Sequence, residues 1–166
     1  MLTGVTQDQL SAGGEPYFNA GAVTYQVQVS RQLNPFNDYD AQFLEGLQDA
    51  QDLTPQQLWF GVFLWAKNQS GHTAQTADRF ELLDSAGDVF QPVQLNANVN
   101  PYAWSSEQLA PDGVEPADGT TAANNASTGG GLILFKVTQD LYSNRPLTLL
   151  LFPPGSTTPS RVSLDL

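Results

Sequence analysis

The chain contains no cysteine, one histidine (His72) and six basic residues among 166. Each scarcity removes a class of chemistry. Without cysteine there are no disulfides, thiolate nucleophiles or thiolate metal ligands. Serine catalysis usually needs a base, and the only histidine sits in the turn NQSGHT; one histidine also argues against a structural zinc site. Six Lys and Arg against 17 Asp and Glu give a net charge of −11. Such a surface repels phosphate backbones and anionic headgroups, so neither nucleic acid nor a bare membrane is an expected partner. Long apolar runs are missing too: the longest are about eight residues, where a bilayer-spanning helix needs roughly 20. No basic-then-apolar leader opens the sequence. A trimmed leader or lipid-anchor cysteine ahead of Met1 would leave the same appearance, so this absence excludes neither.

What is present is strand chemistry. Residues 22–31, AVTYQVQVSR, alternate, with Val23, Tyr25, Val27 and Val29 on one side and polar residues on the other. Residues 58–67, LWFGVFLWAK, do not. Leu58, Phe60, Val62, Leu64 and Ala66 share one face; Trp59, Phe63 and Trp65 share the other, with Gly61 between them. Asp78 to Leu83 resumes a strand, and Asp84 to Asp88 is a hairpin turn with Gly87. Val89 to Val93 leads out of it. GLILFKVTQ and PLTLLLF are strands apolar on both faces, and Arg161 to Leu166 alternates again. Strands apolar on both faces belong in sheet centres, alternating ones at edges.

About seven to nine strands with frequent turn signals predict an all-β chain, two antiparallel sheets packed as a sandwich. Residues 1–21 read as a flexible lead-in and 22–166 as one domain. Residues 32–57 form an insert between the first two strands. Asp40 is its candidate helix cap, and Phe43, Leu44 and Leu47 fall at helical spacing. Residues 105–131 form a long acidic and Gly-rich loop, either functional or mobile.

The order LNPFNDYDAQFLEGL, LWFGVFLWAKN, FELLDSAGDVFQPVQLN, GLILFKV and VSLDL resembles an actinobacterial family of secreted, often lipid-anchored proteins of unknown function. These are similar to the immunoglobulin-like domain found in secreted mycobacterial immunogenic antigens. Trp59, Gly61, Val62, Leu64, Asn68, Asp84, Gly87 and Phe90 carry the pattern, over roughly residues 22–166. The resemblance implies an immunoglobulin-like sandwich outside the cytoplasm, secreted or anchored at the cell surface. It transfers no catalytic residues.

The catalytic motifs G-x-S-x-G, H-E-x-x-H and G-x-x-x-x-G-K-[ST] are absent, and the expectation is a chain that is not an enzyme. Asn37, Asp38 and Asp40 are candidate calcium ligands; the competing reading is turn and cap chemistry. Glu107, Asp112, Glu115 and Asp118 read as a solvated acidic run. The bare face of Trp59, Phe63 and Trp65 has three candidate covers: the insert, whose Leu33, Phe36, Tyr39, Phe43, Leu44 and Leu47 have no other obvious home, a protein partner or second copy, and a stacked ligand such as a sugar ring. Two function classes follow. One is a non-catalytic envelope module that binds a protein or self-associates. The other is a carbohydrate-binding module stacking sugars on Trp59, Trp65, Tyr102 or Trp104.

Overall fold

The computed structural model describes residues 17–47, 53–125 and 128–164. The chain is all-β with antiparallel pairings between its strands. Among the described residues, seven strands have four or more residues: β1 (Tyr17–Ala20), β2 (Val23–Leu33), β3 (Gln57–Asn68), β5 (Arg79–Leu83), β10 (Gly131–Thr138), β11 (Leu147–Phe152) and β12 (Ser160–Leu164). Five are two-residue pieces: β4 (Ala74–Gln75), β6 (Val89–Phe90), β7 (Pro92–Val93), β8 (Gln108–Leu109) and β9 (Val114–Glu115).

One sheet runs β1-β2-β3-β10-β7, with β9 also paired to β3; the second runs β12-β11-β5-β6. The strands apolar on both faces, β3, β10 and β11, are interior, because each meets apolar neighbours on both sides. One core lies between the sheets. Phe60, Val62, Leu64, Ile133 and Phe135 from the first meet Phe80, Leu82, Leu149, Leu151 and Val162 from the second. The chain passes from one sheet to the other at Gln91, between β6 on β5 and β7 on β10.

The structure alters the sequence reading at four places. Tyr17–Ala20, assigned to the lead-in, is a strand on β2; residues 1–16 lie outside the described ones. The alternation of β2 breaks, because the register slips between Val27 and Val29. A bulge adds one residue, so Val29 turns from the main core to the opposite face, where it joins the packing around Trp59. In the insert, Asn37 rather than Asp40 caps α1 (Asp38–Ala41), accepting from the Tyr39 and Asp40 amides. A 3-10 turn, Gln42–Leu44, follows, and Gly46 ends the helical stretch at φ +76. Residues 105–131 are not one featureless loop: they carry β8, β9 and α2 (Thr121–Asn124), whose cap is Thr120.

Candidate functional site

The outer face of β3 is closed by the chain itself. Trp59 is 3% exposed, Phe63 0% and Tyr102 7%. They pack with Leu33, Phe43, Ala122, Leu132 and Leu134 in a second core. The insert supplies much of the cover through Phe43, Leu44 and Leu47; Val93, Leu95 and Tyr102 supply the rest. Phe43 sits edge-on to Phe63 at 5.1 Å and to Tyr102 at 4.8 Å, the T-shaped geometry that ring quadrupoles favour. Gly61 makes the closure fit. A Cβ there would lie 3.0 Å from methyls of both Leu33 and Leu132. Lys136 is in register with Trp59, and its ammonium lies 5.5 Å from the indole ring.

The candidate stacking residues are therefore not one platform. Trp59, Phe63 and Tyr102 are enclosed. Trp65 is half-buried against the edge of Tyr17 at 5.9 Å. Trp104 is half-buried elsewhere: its indole N–H donates to the Ala77 carbonyl at 2.8 Å, and its ring meets Phe80 edge-on. It walls a cleft of about 310 Å³ with Asp78, Arg79, Gln91 and Gln94 near its apolar floor of Phe80, Leu132 and Leu134.

The candidate calcium ligands have other work. Arg31 grips Asp40 with two guanidinium nitrogens, at 2.6 and 3.1 Å, and the Asn34 amide donates to the same carboxylate at 2.9 Å. The guanidinium holds the Asp40 carboxyl below its usual range, offset in part by burial. Asn37 spends its side-chain oxygen on the cap, and Asp38 points to solvent. Among the described residues no three acidic or histidine side chains gather around a common point.

The insert leaves an opening where it meets β3. A groove of about 670 Å³ is lined by Leu33, Pro35, Phe36, Leu44, Leu47, Leu53, Pro55 and Trp59. Phe36, which the sequence assigns to the cover, is 93% exposed at its rim. The turn Asn34–Asn37 explains this: the Asn37 amide donates to the Asn34 carbonyl and the Phe36 amide to the Asn34 side chain. The backbone is thereby fixed with the phenyl turned away from the core.

Sequence reasoning missed one residue altogether. Glu115, read as part of a solvated acidic run, is 3% exposed. On β9 it pairs with Ala66, so its side chain enters the main core. Thr76 Oγ1 donates to its Oε1 at 2.7 Å. Burial pushes its carboxyl up to about 8, with Glu107 adding to the rise and the Thr76 and Ser105 donors opposing it. Tyr25 lies nearby, its hydroxyl accepting from the Ala77 amide at 2.9 Å, and its own pKa is raised by burial.

No family model and no curated protein matches the chain. Solved structures do resemble it in fold. One is ycdA of Bacillus subtilis, named a "putative lipoprotein": 11% identity over 92% of this chain, with a TM-score of 0.56. This chain spans 38% of that protein's length. Others are the yjhA protein of Bacillus subtilis, 12% identical over 90% of this chain and 96% of its own at TM-score 0.48, and a conserved hypothetical protein of Bacillus anthracis, 8% identical over 82% and 87% at 0.49. At these identities the first resemblance concerns the fold, and the other two carry no further argument.

Proposed function

We propose that this chain is a non-catalytic interaction module of the bacterial cell envelope, an immunoglobulin-like sandwich that binds a protein partner through the groove beside Phe36. The observation that carries the reading is a phenyl ring left 93% exposed on the rim of an apolar groove that the buried Trp59 also lines. Exposed apolar grooves rimmed by polar residues mark sites that partners cover, and a buried aromatic anchor supplies much of an interface's affinity. The net charge of −11 favours a partner that presents Lys and Arg around the apolar segment it inserts. An extracytoplasmic location is supported by the family resemblance in the sequence and by the lipoprotein name of one fold neighbour.

The test is an envelope-protein pull-down repeated with Phe36→Ser. A partner identified this way must also bind the purified chain, and the substitution must weaken that binding at least about tenfold, or 1.4 kcal/mol. Envelope proteins captured equally by both forms, or none captured by either, overturn the reading.

The cleft at Trp104 favours a second reading, a saccharide site, since it sets an indole among Asp78, Arg79, Gln91 and Gln94. Titration with a glycan panel decides it: no affinity better than about 1 mM, or −4 kcal/mol, removes it.

A further inference from the structure

Three separate segments converge on the carboxyl of Glu115. β9 carries it, the Thr76 hydroxyl donates to it at 2.7 Å, and the Ser105 amide donates to it as well. Thr76 is in turn tied to the Ser106–Glu107 stretch in three ways. Its hydroxyl accepts from the Glu107 amide at 2.8 Å, its amide donates to the Glu107 carbonyl at 2.9 Å, and its carbonyl accepts from the Ser106 hydroxyl. The chain from Trp104 to Glu115 is thus a strap across one end of the main core, and Glu115 is its innermost anchor. At the strap's outer turn Asn68 holds it by backbone bonds to Asp112 and Gly113 and by a side-chain bond to Leu109.

The charges around this anchor offer a carboxylate little help. Neither ion pair among the described residues involves it. From the strap itself Glu107 bears on it with like charge, and from β2 Tyr25 meets it with a buried hydroxyl. Lys67, its neighbour on β3, pairs with Val114 and so lies on the opposite face. His72, Asp78 and Arg79, on either side of Thr76, are exposed.

We propose that Glu115 is a proton-operated fastener: protonated, it holds the strap Trp104–Glu115 closed on the core, and loss of that proton releases the strap. A neutral carboxyl suits the site, because it needs no counter-charge. A carboxylate there is desolvated, faces Glu107 and has two donors. The cheapest relief is to carry it into water, and the strap's ladders are short, β9 to β3 and β8 to β4 over two residue pairs each, so the strap opens before the sheets do. The midpoint belongs on the mildly alkaline side, where burial puts the carboxyl at about 8. Because the strap carries Trp104, its release also removes one wall of the cleft beside Asp78. This holds whether or not the groove at Phe36 binds a partner.

Hydrogen exchange of the intact chain tests it, comparing wild type with Glu115→Gln at each pH from about 4 to about 9 so that intrinsic exchange chemistry cancels. The two should agree at the acid end. Between about pH 4.5 and 8 the wild type should lose protection in 104–115, relative to the variant, by about tenfold per pH unit, and the gap should level off above 8. The β3–β10 amides should stay protected in both. Identical strap protection at every pH, or loss of strap and core protection together, overturns the proposal. Side-chain carboxyl NMR of the wild type keeps the idea testable if the variant does not fold. A Glu115 signal titrating together with the strap amides supports the fastener; one titrating near the ordinary 4.5 sinks it.

Discussion

The two faces of β3 are equally apolar in sequence and are closed in different ways. Its inner face, Leu58 to Ala66, meets a second sheet whose strands are paired along their length. Its outer face, Trp59 and Phe63, meets an insert and a crossing segment with little regular structure. A sheet covers a face continuously, because its side chains repeat every two residues. Turns and short helices cover it piecewise. The groove beside Phe36 opens at the margin of the piecewise cover, while on the inner side the buried acid Glu115 is engaged by the Thr76 hydroxyl. The candidate binding surface therefore belongs to the face that loops close.

Truncation should expose this difference most strongly. Phe60→Ala on the inner face should cost about 4 kcal/mol and Phe63→Ala on the outer face about 3, since loops can settle into a cavity that a paired sheet cannot. Urea unfolding of the two variants measures both, and an equal or reversed order breaks the comparison. The polar exception on the inner face is next. The folded Glu115 carboxyl sits at about 8 and its ordinary value is 4.5, so between these pH values the folded chain binds the extra proton. Its contribution to stability is therefore fully present below 4.5 and falls by about 1.4 kcal/mol per pH unit towards 8. Unfolding across this range should show that slope in wild type and lack it in Glu115→Gln.

Gly61→Ala probes the outer face at a tight point. Its Cβ would press on Leu33 and Leu132 at 3.0 Å, for a loss of about 2 kcal/mol by thermal unfolding. Arg31→Ala should do least, about 1 kcal/mol at neutral pH, because the guanidinium is 36% exposed and solvent screens it. Asp40 is held below its ordinary 3.8, so this contribution is present above that value and lost as pH falls through the folded one. The gap between variant and wild type should close in acid.

Much of the strand order was legible beforehand. Period two marked β2 and β12, and unbroken apolar runs marked β3, β10 and β11 as interior. The bulge after Val27 was not, because an inserted Gln between two valines looks like continued alternation. The hairpin at Asp84 was readable, since Gly87 takes the positive φ the turn requires, at +93. The Asn37 cap was missed by three residues, as NDYD offers several side chains that cap equally well on paper.

Composition and periodicity alone determined that this chain pairs strands, that β3, β10 and β11 lie inside, and that it has no thiol chemistry, because these depend on residue type and on spacing along one strand. They also posed the question of what covers Trp59 and Phe63. Only the tertiary structure decided the answer, and with it that Phe36 is left out, that Asp40 belongs to Arg31 and that one acid in a run of acids is buried. Those outcomes depend on which distant segments meet: Glu115 becomes a core residue because β9 lands beside Ala66, some fifty residues away in the chain, and nothing local to Val-Glu-Pro distinguishes it from its solvated neighbours.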